Sequence, residues 1–344
     1  MRPRFLSPAE LEASDLETMT VLSRFCTRGL ILVLLIGYSW FGAGRANAQL
    51  LPDARAHHQL VYDEGERLVY LVGGSTRRGS QYHYFADIWS WDGEEWARGT
   101  SLPFPRSSHR VVYHAERRSL VLFGGGFGRA VKAEGVIWEL QQGEWRAVAG
   151  DFEAGRDEPG LCYDRRRDRI VVFGGWDGAA TYRGDTWEWS GGDLVRVDSA
   201  GPSPRAGHAF LYDPVRERCL LFGGRGVEGF LADTWEWNGA SWFRLEVAGP
   251  QGRWFFGSAT DHRNERIVIF GGSAAEGDLA DTWTWDGQRW SRLETAGPAA
   301  RGMAKLAFTG RSLVLFGGRG RTGEGFVDLQ DTWVLVADSW ERRH

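Results

Sequence analysis

Arginine is the recurring chemistry-bearing residue of this chain. Arg55, Arg106, Arg156, Arg205, Arg253 and Arg301 stand about 50 residues apart. Six guanidinium groups gathered in one place would hold carboxylates or phosphates. Five aspartates, Asp87, Asp185, Asp233, Asp281 and Asp331, recur with the same spacing, each ahead of a tryptophan. A repeated Arg–Asp ion pair therefore accounts for most of the arginines on structural grounds. Arg106 lacks its aspartate and remains a candidate ligand-binding residue, with Glu134 close enough in sequence to replace the missing carboxylate. His58, His109 and His208 share one repeat position as well. In a ring of six repeats they would not converge at the roughly 2 Å a metal needs, so hydrogen-bonded structural histidines are expected. His58 and His109, helped by His57, are the pair able to meet, and both stay among the ligand-binding candidates.

The elements that position these residues are read from the stretch Leu220 to Trp242. An apolar run (Leu220, Leu221, Phe222) ends at Gly223-Gly224, which predicts a strand buried on both faces and closed by backbone that needs glycine. Asp233-Thr234-Trp235-Glu236-Trp237 then alternates with period two, Asn238-Gly239 makes a hairpin turn, and Trp242 opens the next strand. Gly pairs begin at Gly73, Gly124, Gly174, Gly223, Gly271 and Gly317. The even spacing predicts an all-β, six-bladed β-propeller of four-stranded antiparallel blades, over 54–104, 105–154, 155–203, 204–251, 252–299 and 300–344. Of the 18 Trp, 15 fall in this register, as packing residues between neighbouring sheets. The second repeat is the irregular one, with Val136 for Asp and Leu140 for the second Trp, and the third has Leu194 near its expected last Trp.

At these Gly pairs and paired tryptophans, from Arg55 to Trp340, the chain resembles the kelch-repeat family, the broad group that includes the galactose oxidase central domain and the periplasmic sialic acid mutarotase. The resemblance implies a first strand innermost in each blade, around a central channel. It implies no copper site here. The added domain is lacking, and Cys162 and Tyr163 are neighbours on one strand whose side chains point to opposite faces. Because each repeat starts at strand one, the last ends at strand four and no shared blade is needed. Residues 49–53 are expected to add a short closing strand.

Composition sets the limits. The 344 residues are 42% hydrophobic and 25% charged, as in a folded globular protein. Beyond residue 48 there are 36 basic against 41 acidic groups, a balance with no general attraction to nucleic acid or anionic lipid. Gly29 to Gly44 is mostly apolar, preceded by Arg24 and Arg28 and followed by Ala46-Asn47-Ala48. This reads as a signal peptide over 1–48 cleaved before Gln49, since the stretch is short for a membrane span of roughly 20 residues. Met19 opens a more ordinary leader than Met1, which leaves the start open between the two and residues 1–18 as a candidate start-site artefact. The expectation is an extracytoplasmic protein, secreted or periplasmic, with no stable membrane insertion after cleavage. Cys162 and Cys219, which replace apolar residues in strands of the third and fourth repeats, read as buried free thiols, with a disulfide between them in an oxidising compartment as the alternative.

The loops that join strands two and three emerge on the same face as the linkers between blades. That face collects the residues that break the repeat: Trp176 and Trp254, with Tyr82, Tyr84, Phe127, Tyr182 and Phe230, and with Arg77, Arg129, Arg183 and Arg225 interspersed. Rings of this kind stack on sugars or anchor peptides, and arginines beside them fix acidic groups. With no serine-nucleophile motif, phosphate loop or paired-cysteine metal pattern, no cofactor, metal or catalytic residue is assigned. The leading reading is a binding module for carbohydrate or protein. The alternatives are a sugar-acid mutarotase or lyase at the channel mouth, using an Arg with a His or Glu158, and a structural envelope protein.

Overall fold

Each repeat supplies two apolar strand segments, a Gly pair and two aromatic segments, and these fold into one antiparallel sheet. In the computed structural model, which describes residues 50–126, 135–150, 152–178, 181–197, 200–323 and 325–344, six such sheets follow one another. Blade one is built from Gln59–Asp63, Leu68–Val72, Asp87–Trp91 and Trp96–Ser101, paired in that order. Blade two uses Ser107–His114, Ser119–Gly126, Val136–Gln141 and Glu144–Gly150, and blade three Gly160–Asp164, Arg169–Trp176, Tyr182–Trp189 and Val195–Val197. Blade four is Ala209–Asp213, Arg218–Phe222, Thr234–Trp237 and Trp242–Leu245. Blade five is Gly257–Asp261, Arg266–Phe270, Thr282–Trp285 and Trp290–Leu293, and blade six Lys305–Phe308, Leu313–Phe316, Thr332–Val336 and Ser339–Arg342. The only helix among the described residues is the three-residue 3-10 turn Phe152–Ala154. The fold is thus the six-bladed propeller that the repeat spacing predicts.

Sheets packed face to face bury their side chains between blades, and six apolar clusters fill the six interfaces. The cluster of Leu60, Leu71 and Trp91 with Val314 and Phe316 joins blade six to blade one. In four blades the last Trp donates its indole N–H to the Thr that follows the repeat Asp of the preceding blade. Trp242 reaches Thr186, Trp290 reaches Thr234, Trp340 reaches Thr282 and Trp96 reaches Thr332, each at 3.0 Å.

This bond explains the irregular repeats. In blade two the Thr is replaced by Ile137, so no acceptor exists, and blade three answers with Leu194, buried in the same cluster. In blade one the Thr is replaced by Ile88, and Trp145 of blade two accordingly keeps a buried indole nitrogen without a partner. The missing Asp at Val136 likewise leaves Trp138 Nε1 unpaired.

The ring closes through the backbone. The second Gly of each pair donates to the carbonyl of the next blade's Arg, as in Gly224 to Arg253 at 2.8 Å, and the series ends with Gly318 to Arg55 at 2.9 Å. Gly223 and Gly224 lie at φ 69° and 98°, and this left-handed backbone is what turns the amide toward the neighbouring blade.

Two expectations are corrected here. Residues 50–53 form no strand; Asp53 offers its carbonyl to Arg55 instead, and the Gly318–Arg55 bond does the closing. Cys162 and Cys219 are not free thiols but a disulfide, with Cα atoms 6.4 Å apart. Reading each cysteine within its own repeat hid this, because the inner strand of blade three packs on the second strand of blade four and brings both side chains into one cluster.

Candidate functional site

The repeat arginines are fixed in place. Arg205 is fully buried, donates twice to Asp233 at 2.6 and 2.9 Å, and reaches the Gly223 carbonyl at 3.1 Å. Arg55 with Asp87, Arg156 with Asp185, Arg253 with Asp281 and Arg301 with Asp331 repeat the arrangement. Burial pushes each aspartate up, and the arginine bonds outweigh it, holding all five below the usual carboxylate range. Arg106 is buried as well and donates to the Gly124 carbonyl at 3.2 Å; Glu134 lies outside the described residues.

Two residues after each Arg, the backbone enters the left-handed region in every blade: His57, Ser108, Glu158, Gly207, Phe255 and Met303 have φ between 49° and 67°. Five hydrogen bonds link these six residues around the channel, from the amide of Ser108 to His57 through to the amide of Met303 to Phe255. His57 crosses the mouth to Glu158 at 2.7 Å, and its ring meets Phe255 edge-on at 5.1 Å. The channel is therefore capped on the loop-rich face.

His58, His109 and His208 lie one residue further on, buried, with both ring nitrogens of each unpartnered. This corrects the expectation of hydrogen-bonded histidines. Each ring packs on the first Gly of the preceding blade's pair, with Cε1 about 3.0–3.3 Å from where a Cβ would stand on Gly317, Gly73 or Gly174. Pro159, Phe256 and Ala304 hold the same position in the other blades, so the slot is a packing slot. Burial, followed by nearby arginines, keeps all three imidazoles well below their ordinary pKa and hence neutral. No group of three His, Cys, Asp or Glu able to hold a metal occurs among the described residues.

Beneath the cap lies a charged cluster. Glu158 is buried, bonded to His57, with Arg110 Nη1 2.7 Å from its other oxygen. Burial raises its carboxyl, and Arg110, Lys305 and His57 together bring it well below the usual range. Lys305 is buried, and desolvation, then the Arg110 charge, pushes its amine down to about 7. Asp157, half-buried beside Glu158, is pushed up to about 7 by burial first and by Glu158 second.

The loop-rich face carries two separate groups of the candidate aromatics. On blades one and six, Tyr82 is 49% exposed on the hairpin Ser75–Arg78/Gln81–Tyr84, with Tyr84 half-buried beside it. The blade-six hairpin Arg319–Thr322/Gly325–Asp328 is tied to it: Asp328 accepts from Thr76 and from the Arg77 amide, and Arg319 lies 5.8 Å from the Tyr82 ring. On blades three to five, Trp176 is 40% exposed and pairs across strands with Tyr182, while Arg183 reaches Asp177 at 3.4 Å. Trp254 is half-buried, stacked on Phe255, with Arg225 5.0 Å from its ring and 5.4 Å from that of Phe230. Phe127 and Arg129 lie outside the described residues.

Sequence reasoning missed Phe326 and Val327, exposed at the blade-six tip, because neither breaks a repeated position. It also missed Lys305 and Arg110. Their signal was available: four residues after each repeat Arg stand Gln59, Arg110, Gly160, Ala209, Gly257 and Lys305, three long polar side chains against three small residues.

The model of the KLHDC2/KLHL20/DRC7 Kelch-repeats domain matches residues 181–342, from the third strand of blade three to the last strand of blade six. No curated protein matches the chain. Blades one and two and the first half of blade three, outside the matched segment, repeat the same four strands, Gly pairs and Arg-to-glycine bonds. One unit runs through all six blades and the family model covers the later ones, so the match and the six-bladed propeller fit a kelch-repeat family.

Proposed function

We propose that this propeller is a binding module that takes a protein segment on its loop-rich face. The observation that carries the reading is the pair of joined hairpins on blades one and six. They present Tyr82, Phe326 and Val327 to solvent beside the exposed side chains of Arg77, Arg78 and Arg321. Apolar anchors ringed by guanidinium groups suit an acidic segment with hydrophobic side chains. The hairpins are braced through Asp328 rather than loose, so little ordering is required on binding. The Trp176–Tyr182 pair favours a second reading, stacking on a carbohydrate.

Export belongs to the same proposal: a signal peptide over 1–48, outside the described residues, would deliver the chain to an oxidising compartment, and the Cys162–Cys219 disulfide supports that compartment. Selection from a displayed peptide library and a glycan array, both on the purified protein, separate the two ligand classes. Tyr82→Ala with Phe326→Ala is expected to weaken a selected acidic peptide about tenfold or more while leaving the melting temperature nearly unchanged. Full affinity in that variant, and in one that also carries Trp176→Ala, would place the ligand away from this face.

A further inference from the structure

The channel holds a second, distinct feature. Below the capped mouth is a cavity of about 80 Å3 lined by Gln59, Arg110 and Lys305 on one side and by His208, Phe256 and Ser258 on the other. A single water needs only ~10–15 Å3 of such space. The chain makes this room by a division among blades. At the position four residues after the repeat Arg, the adjacent blades six, one and two contribute Lys305, Gln59 and Arg110, and blades three, four and five contribute Gly160, Ala209 and Gly257.

Gln59 and Lys305 are buried, while Arg110 is half-buried and has one edge on Glu158 and the His109 carbonyl. Gln59 and Lys305 are 6% and 8% exposed, and the Gln59 amide nitrogen is unpaired. The charges do not balance. Arg110 is matched by Glu158, the three channel histidines are neutral, and below about pH 7, where Asp157 is protonated, the Lys305 ammonium is left over. A buried unpaired cation is costly, and the depressed pKa of Lys305 reflects that cost.

We infer that the closed end of the channel is a binding site for a small monovalent oxyanion of carboxylate size, held by the Lys305 ammonium, the Gln59 amide and the outer edge of the Arg110 guanidinium. One negative charge neutralises the site, and planar oxygens accept from three donors converging from three blades. Entry is from the opposite, short-turn face. A second cavity of about 170 Å3 shares Leu60, Val111, Leu161, Phe210 and Leu306 with the first and opens past Tyr62, Tyr113, Tyr163 and Tyr212. The passage is mostly apolar and aromatic, carries Glu64, Arg165 and His262 on its wall as well, and shares its inner end with the cationic pocket.

The test is titration of the whole protein with 13C-labelled formate at a pH about one unit below that of Lys305, so that the amine is charged. Ionic strength is held with sodium gluconate, whose anion is too bulky for the site, and binding is read by the formate carbon resonance and by thermal stabilisation. Saturable binding is expected. Lys305→Met, which keeps the volume and removes the charge, is expected to lower the affinity about tenfold or more, while its own unliganded melting temperature does not fall. Absence of saturable binding to the wild type would mean that the cavity holds only water, and an unchanged affinity in Lys305→Met would place the ion on a surface arginine; either overturns the inference. Should Lys305→Met fail to fold, Gln59→Leu decides: it leaves the charge in place and is expected to weaken formate about threefold or more, and no change overturns the site.

Discussion

Replacing Asp233 by Asn tests whether the Arg–Asp pairs hold the blades together. The two Asp233 oxygens accept from Arg205 at 2.6 and 2.9 Å, and one of them also accepts the Trp235 indole N–H at 2.7 Å. An amide keeps one acceptor and turns the other into a donor. Whichever way it points, it meets a guanidinium N–H with an N–H of its own. If the nitrogen takes the shared position, the indole is orphaned too. Arg205 stays fully buried, with its charge no longer matched. One lost charge-assisted bond of ~1.5–3 kcal/mol and one unsatisfied buried donor of ~1–3 kcal/mol give a loss of about 3–5 kcal/mol. For a chain of this size that is a fall in melting temperature of about 5–10 °C. Differential scanning calorimetry at neutral pH, with urea midpoints as a second measure, reads it directly. Arg205 also donates to the Ser203 carbonyl and hydroxyl, each at 2.9 Å, so a fall under about 2 °C would mean that Ser203 and the Gly223 carbonyl satisfy it alone, and the pairs would lose their structural role.

Two further outcomes follow from the same contacts. Gly223→Val is expected to destabilise blade four by about 3 kcal/mol or more, because a β-branched residue at φ 69° is strained and its Cβ would stand 2.9 Å from the Arg253 carbonyl; an unchanged urea midpoint would refute this. The five paired aspartates have folded pKa values below the unfolded one, so their stabilisation is full above about pH 4 and is lost as pH falls through the folded values. Acid unfolding followed by tryptophan fluorescence is therefore expected to be steep below about pH 4, with Asp233→Asn shallower than wild type; equal slopes would count against the pairs as its source.

What the sequence determined by itself is whatever each repeat states within its own fifty or so residues. The strand order, the glycine backbone and the partners of Arg55, Arg156, Arg205, Arg253 and Arg301 are local, and six near-copies of the same signal reinforce one another. The place of Trp176 and Tyr82 on the loop-rich face followed from strand direction alone. Only the tertiary structure decided what depends on different blades meeting. The cap over the channel is made of His57, Ser108, Glu158, Phe255 and Met303 as well as Gly207, in left-handed backbone. That conformation leaves no mark in five of those residue types, because it is enforced by bonds from one blade to the next. The Cys162–Cys219 bridge, the Leu194 that answers Ile137 and the Lys305–Gln59–Arg110 side of the channel are likewise sums over neighbouring blades. A residue's partner there lies one or more repeats away, and ring closure, rather than local propensity, chooses it.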